Sequence, residues 1–150
     1  MGDLEIRPAA TDDIPAIVGM LADDPLGARR ESLDDLTPYL AAFERLTGDP
    51  NQHLVVAVRE GRVIGTLQLT VIPGLSRRGA TRSIIEAVRI HADERGSGLG
   101  TRLIEWAIDE SRRQNCQLVQ LTSDKSRTDA HRFYERLGFA ASHAGFKLEL

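Results

Sequence analysis

The chain has 150 residues, 41% of them hydrophobic and 27% charged, which is enough length and apolar content for one domain, 1–150, with a buried core. A formal net charge of −3 argues against a broad nucleic-acid surface. No apolar run reaches membrane length, no signal-peptide pattern opens the chain, and the one cysteine, Cys116, can form no internal disulfide. A cytoplasmic protein is therefore expected, with neither nucleic acid nor membrane as partner.

Leu4–Arg7 alternates and runs into Pro8, the pattern of a first strand. Thr11 suits a helix N-cap, and Asp12 and Asp13 suit the positive end of the helix dipole. Ile14, Ile17, Val18 and Leu21 then recur at helical spacing. Pro25 and Gly27 make a loop of residues 23–27. A second helix starts near Thr37-Pro38, turns its apolar face through Tyr39, Leu40, Phe43 and Leu46, and stops at Gly48. Leu54–Val58 and Val63–Thr70 read as strands joined by a tight turn at Glu60-Gly61. After a loop from Pro73 to Ala80, a β-branched strand covers about Thr81 to His91. The spacing of Leu99, Leu103, Ile104, Ala107 and Ile108 predicts a helix from about Gly98 to Asn115. Gln117–Thr122 is the next strand, and Thr128-Asp129 caps a short helix, Ala130–Leu137, stopped by Gly138. Phe146, Leu148 and Leu150 alternate and predict a last strand. The order β-α-α-β-β-β-α-β-α-β implies an α/β (α+β) domain, a mixed sheet with helices on both faces.

The most informative stretch joins the central strand to the long helix. It reads Arg95-Gly96-Ser97-Gly98-Leu99-Gly100-Thr101. Glycines let backbone N–H groups approach an anion, and a helix start adds unpaired donors and the positive end of a dipole. The dinucleotide fingerprint is excluded, because the three glycines alternate instead of following G-x-G-x-x-G. The triphosphate loop is excluded too, since Gly100-Thr101 lacks the required lysine.

What remains, Arg95-x-x-Gly98-x-Gly100, resembles the acyl-CoA pyrophosphate loop of the GNAT superfamily of N-acetyltransferases. A second stretch, Phe133-Tyr134-Glu135-Arg136-Leu137-Gly138-Phe139, resembles that family's late Phe-Tyr-x-x-x-Gly-Phe motif, with one helix and one strand between the two motifs as expected. The resemblance runs end to end. It implies a GNAT-like sheet whose two strands flanking the glycine-loop helix splay apart to admit acetyl-CoA. The cosubstrate's contacts would come from Val88, Arg89 and Ile90 backbone, the Arg95–Thr101 turn (Arg95, Gly96, Ser97, Gly98, Leu99, Gly100, Thr101) and Tyr134. Where many relatives carry Asn after the next strand, this chain has Asp124-Lys125, a departure that weakens transfer of that role to Asp124. Arg127 and His131 are either adenylate or phosphate neighbours or ordinary solvated residues. The loop of residues 23–27 is either a plain helix connector or, by resemblance, a wall of the acceptor site.

Acyl transfer from a thioester to an amine needs a held thioester, a base, oxyanion donors and assistance to the leaving thiolate. Val88 N–H is the oxyanion candidate. Tyr134, by resemblance aimed at the CoA sulfur, is the acid candidate. Glu86 is the base candidate. Strand alternation would put Glu86, Val88 and Ile90 on one face unless a bulge intervenes, and dehydration would raise the Glu86 pKa. The alternative for Glu86 is an exposed charge or an ion pair with Arg82. Cys116 suits a small buried thiol better than an acyl carrier. His53, His91, His131 and His143 lack metal-ligand spacing, so no metal is expected. The reading is an acetyl-CoA-dependent N-acetyltransferase acting on a primary amine by direct attack in a ternary complex, with a homodimer possible by resemblance. The alternative is a catalytically silent acyl-CoA-binding regulatory module. Asp23, Asp24, Asp34 and Asp35 would draw a cationic acceptor and Arg77, Arg78 and Arg82 an anionic one, but scattered charges are usually a solvated surface, so the sequence selects neither.

Overall fold

A computed structural model describes residues 2–150. Strand β1 (Leu4–Pro8) leads through a 3-10 turn, Thr11–Asp13, into helix α1 (Ile14–Ala22). A short helical turn, α2 (Gly27–Arg30), and helix α3 (Thr37–Thr47) follow. Strands β2 (Gln52–Arg59) and β3 (Arg62–Ile72) form a hairpin. A short turn, α4 (Ser76–Gly79), precedes β4 (Arg82–Ile90). Helix α5 (Leu99–Arg113), strand β5 (Leu118–Leu121) and helix α6 (Thr128–Arg136) complete the order.

The five strands lie in the order β1-β2-β3-β4-β5. The first three pairings are antiparallel and the last, β4 with β5, is parallel. Alternation along β2 sends its residues to two different cores. Val55 and Ala57 join Leu67, Leu69, Ile85 and the α5 stripe of Leu99, Leu103, Ile104 and Ala107 on one face. Val56 and Val58 meet Ile14, Ile17 and Val18 of α1 and Phe43 of α3 on the other. The mixed sheet with helices on both faces is thus as expected, and α5 falls within the anticipated 98–115. A buried Ser83–Ser111 hydroxyl contact of 2.7 Å ties β4 to α5.

The turn at Glu60-Gly61 takes positive φ at both residues, 52° and 74°, the twist a two-residue hairpin needs. The expected loop from Pro73 to Ala80 contains a tighter device: Arg77 and Arg78 are left-handed, with φ of 57° and 62°. The last strand does not form. Past α6 the chain is irregular, with Phe146, Leu148 and Leu150 exposed at 94%, 86% and 117%. Alternation decides which side of a strand a residue takes, but a strand exists only when its backbone groups pair with a neighbour. Among the described residues, none pairs with this segment.

Candidate active site

Strand β4 carries a bulge near its middle. Thr66 faces Arg89 and Gln68 faces Glu86, so Leu67 alone stands opposite Ala87 and Val88. Ala87 takes φ 52°, a left-handed conformation that costs a non-glycine residue roughly 1–2 kcal/mol. A bulge bends its strand and increases the local twist. On the other edge, β4 pairs with β5 only from Arg82 to Ile85, against Leu118 to Leu121. Among the described residues no strand lies beside that edge from Glu86 to Ile90, and the two parallel strands splay as the resemblance implies. Free N–H and C=O groups on such an edge match the amides of an extended ligand.

The bulge also resets the faces. Leu67 and Leu69 point into the core under α5, so Thr66 and Gln68 point to the α1–α3 side, and their partners Arg89 and Glu86 go with them. Val88 and Ile90 instead pack against the core under α5. The expectation that Glu86, Val88 and Ile90 share a face is therefore overturned. Glu86 is exposed and not enclosed among apolar neighbours. Its suggested partner Arg82 donates to Gln120 Oε1 at 3.1 Å instead.

Beyond β4, the acidic turn is tied to the β2–β3 hairpin. Arg59 Nη1 donates to Glu94 Oε2 at 3.1 Å, and Arg62 Nη2 to Asp93 Oδ2 at 2.9 Å. Gly96 and Gly98 take φ of 81° and 83°, which glycine alone adopts without strain. Gly98 is the N-cap of α5 and supplies no side chain to the helix start. The N–H groups of Leu99, Gly100 and Thr101 are left without helical acceptors. They open on a cavity of about 250 Å³ walled by Ile90, Arg95, Gly96, Gly98, Thr101 and Phe133. Donors, dipole and space fit a phosphate group. A wider hollow of about 740 Å³ between α1 and the β2–β3 turn includes none of Glu86, Tyr134 or the glycines after β4, so the smaller cavity is the candidate.

The loop after α1 lies against this site. Asp24 Oδ2 is 3.5 Å from Arg89 Nε, and Asp23 Oδ2 is 3.2 Å from Arg95 Nη2. The Asp24 carboxyl is held below its ordinary range, first by the Gly27 N–H and then by the charges of Arg89 and Arg127. Arg89 Nη1 donates to Val88 O at 3.0 Å, while its Nε is buried without a hydrogen bond. Sequence reading assigned Arg89 only its backbone and missed the guanidinium. It also missed the Asp23 contact, because no local signal joins residues 72 apart.

Helix α6 presents Tyr134, which packs edge-on against Phe133 at 5.2 Å and Phe139 at 5.9 Å. Burial raises the Tyr134 pKa, opposed by the charges of Arg127 and Arg89. Phe133 packs against the core under α5 and also forms a wall: a Cβ on Gly100 would meet its ring at 3.5 Å. Asp124 accepts from Ser126 N at 2.9 Å and Ser126 Oγ at 2.6 Å, contacts that lower its pKa. His131 Nε2 lies 2.9 Å from Asp124 O. Asp124 and His131 thus close the loop before α6 on itself. Arg127 stands at the start of α6, and its charge is felt at Asp24 and Tyr134. Burial pushes the Cys116 thiol pKa up, away from nucleophile behaviour. Among the described residues no group of three or more His, Cys, Asp or Glu could hold a metal ion, and no helix is long and apolar enough to cross a membrane.

Comparison with known proteins bears on this geometry. The Acetyltransferase (GNAT) family model matches residues 16–139. The chain is 31% identical over 142 residues to an aminoalkylphosphonate N-acetyltransferase of Salmonella typhimurium, covering 95% of this chain and 88% of that one. It is 36% identical over 149 residues to a glucosamine 6-phosphate N-acetyltransferase of Trypanosoma brucei brucei, covering 93% and 99%. A solved structure described as a transcriptional regulator from Bacillus halodurans superposes with a TM-score of 0.95 at 43% identity, covering 99% and 100%. One family match spans both the glycine turn and the Phe-Tyr motif, so the chain belongs to the GNAT acetyltransferase family and is an acetyl-transferring enzyme.

Proposed function

We propose that residues 1–150 form a single domain that transfers the acetyl group of acetyl-CoA to the primary amine of a small molecule carrying a phosphate or phosphonate, by direct attack in a ternary complex. GNAT acetyltransferases use acetyl-CoA as cosubstrate. The observation that carries the reading is the splay of β4 from β5 at the Ala87 bulge, beside the unpaired donors that start α5.

In this reading the Arg95–Thr101 turn receives the pyrophosphate, and the free edge of β4 from Val88 to Ile90 pairs with the pantetheine amides. Arg127, Asp124 and His131 border the adenylate side. The amine nitrogen attacks the thioester carbonyl, and Val88 N–H stabilises the oxyanion. The amine proton passes to Glu86 directly or through water. The C–S bond breaks, and Tyr134 donates to the departing sulfur. Arg89, on the same face as Glu86, supplies a charge for an anionic group at the other end of the acceptor. The two curated relatives support this choice, since both are named for amines that carry a phosphonate or phosphate. The lone free thiol of Cys116 accords with the cytoplasm.

The test is an assay of CoA release from acetyl-CoA with a short aminoalkylphosphonate, glucosamine 6-phosphate and their uncharged analogues. Turnover that favours the phosphorylated amines at least tenfold in kcat/KM supports the proposal. Equal turnover of the uncharged amines removes the anionic acceptor, and binding of acetyl-CoA without turnover of any amine leaves a silent binding module.

A further inference from the structure

We propose that Gln68 and Gln52 read a hydroxyl on the carbon next to the one that bears the acceptor's amine, so that the acceptor is a vicinal amino alcohol. This deepens the acetyl-transfer reading above and rests on it.

The face of the sheet that carries Glu86 supplies the argument. Strand pairing sets its residues in rows that cross the sheet. Leu54, Gln68 and Glu86 form one row, and Gln52, Thr70, Ile84 and Gln120 form the next. Leu54 packs against the core under α1 and α3, whereas Ile84, one row on, belongs to neither core. The face is therefore open where Gln68 meets Glu86, with Gln68 half-buried and Glu86 exposed.

The hydrogen bonds on this face select the ligand group. Gln52 Oε1 accepts from Gln68 Nε2 at 3.0 Å and from Thr70 Oγ1 at 2.9 Å. Two donors on one oxygen fix the orientation of the Gln52 amide, and the contact with Gln52 fixes that of Gln68. This leaves Gln68 Oε1 as an acceptor and Gln52 Nε2 as a donor, neither with a partner among the described residues. A hydroxyl both donates and accepts, so it satisfies the two together. An ionised phosphate or carboxylate only accepts and would be repelled by Gln68 Oε1; an ammonium only donates and leaves Gln52 Nε2 unused.

Glu86 fixes where that hydroxyl stands on the acceptor. Gln68 lies directly opposite Glu86, and the Cβ atoms of such a pair are about 4.5–5.5 Å apart. Side chains this close reach groups on adjacent carbons of one small molecule. An amine at Glu86 thus puts the hydroxyl one carbon away, towards Gln68. Arg89, paired with Thr66, lies in the row on the other side of Glu86 and is left for the anionic arm. At the far end of the open face, Arg82 Nη1 donates to Gln120 Oε1 at 3.1 Å, so those two side chains already engage each other.

The test measures kcat/KM of the full chain for two pairs of amines that differ by one hydroxyl: serinol phosphate against alaninol phosphate, and alaninol against isopropylamine. A neighbouring hydroxyl also makes an amine less basic, so the readout is the ratio within each pair in the wild type divided by the same ratio in a variant. Gln68→Met and Gln52→Met keep side-chain length and remove the amide. Each should lower the ratio about 3–10-fold, the worth of one neutral hydrogen bond. Acetyl-CoA affinity by calorimetry identifies the folded variants, and if one is unfolded the other decides. An unchanged ratio in either folded variant overturns the proposal, as does a wild type that does not prefer the hydroxylated amines. A Gln68-dependent preference in the uncharged pair, without any preference for the phosphorylated amines, supports the proposal and removes the anionic acceptor. No turnover of any of these amines removes the acetyl-transfer reading and the proposal with it.

Discussion

Glu86 and Arg89, three positions apart, lie on the same face of β4, because the bulge at Ala87 and Val88 absorbs one residue between them. A regular strand would turn them to opposite faces. The bulge thus sets a carboxylate and a guanidinium side by side at the place where β5 diverges. Asp24, 3.5 Å from Arg89 Nε, brings the loop after α1 to the same face. That pairing sets a positive and a negative side chain together beside the free edge of β4.

Substitution of these two residues should separate binding from chemistry. Arg89→Gln should raise KM for a phosphorylated acceptor by about 10–100-fold, the equivalent of one charged hydrogen bond of roughly 1.5–3 kcal/mol. The KM of an uncharged amine should change little. Glu86→Gln should lower kcat with acetyl-CoA affinity intact, since a base acts in the proton step. Steady-state kinetics with matched charged and uncharged amines check both. An unchanged charged-to-uncharged ratio in Arg89→Gln would remove the guanidinium from the acceptor site.

Gly98→Val should abolish acetyl-CoA binding. The residue sits at φ 83° as the N-cap of α5, where a β-branched side chain is strained, and the new methyls would stand beside the helix-start donors. Since no heavy atom lies within 4 Å of a Cβ built there, the loss reflects backbone conformation and occupied ligand space. Calorimetry on the folded variant is the measurement, and wild-type affinity would be incompatible with a phosphate cradle at this turn.

Asp13 anchors the start of α1. Its carboxylate accepts from Arg7 at 2.7 and 3.1 Å and from Ala10 N–H at 2.7 Å. The Arg7 hydrogen bond, helped by Ala10 and opposed by burial, holds its pKa below the ordinary carboxylate value. A group whose folded pKa is depressed stabilises the fold above its unfolded pKa of about 3.9 and loses that contribution as pH falls through the folded value. Asp13→Asn should therefore cost about 1–3 kcal/mol at neutral pH. The wild-type advantage should stay constant down to about pH 5 and shrink below about pH 4. Denaturant melts at several pH values check this, and a pH-independent difference would remove the charge from the explanation.

Much of this was legible because it is local. The Glu60-Gly61 turn, the apolar stripe of α5 and the alternating glycines each carry their reason within a few residues. The bulge was not legible. Glu86-Ala87-Val88-Arg89 contains no glycine to mark a positive φ, and the left-handed Ala87 is imposed by register with β3. Its displacement of Glu86 and Arg89 could not be read without the partner strand. The contacts of Asp23 and Asp24 with Arg95 and Arg89 join distant stretches, and charge alone does not choose partners. The last strand failed for the opposite reason: its pattern is local and clear, but pairing is not a local property.

Tyr134 separates a catalytic from a packing role most cleanly. Its ring sits edge-on to Phe133 and Phe139, and burial raises its pKa above the ordinary phenol value, with Arg127 and Arg89 opposing. The phenol therefore remains protonated at neutral pH and available as a donor. A thioester sulfur is a poor acceptor in the ground state, so a hydrogen bond to it strengthens mainly as the C–S bond breaks. Removing that donor should lower kcat and kcat/KM together and leave the acetyl-CoA Kd unmoved. General acid assistance is worth about 10²–10⁴-fold, and the low end is expected because a thiolate departs readily. Tyr134→Phe keeps the ring and deletes only the hydroxyl. If the residue merely packs, the variant loses about 1 kcal/mol of stability and no activity per folded molecule. Kinetics normalised to the folded fraction discriminate the two, and full activity in Tyr134→Phe would end the acid assignment.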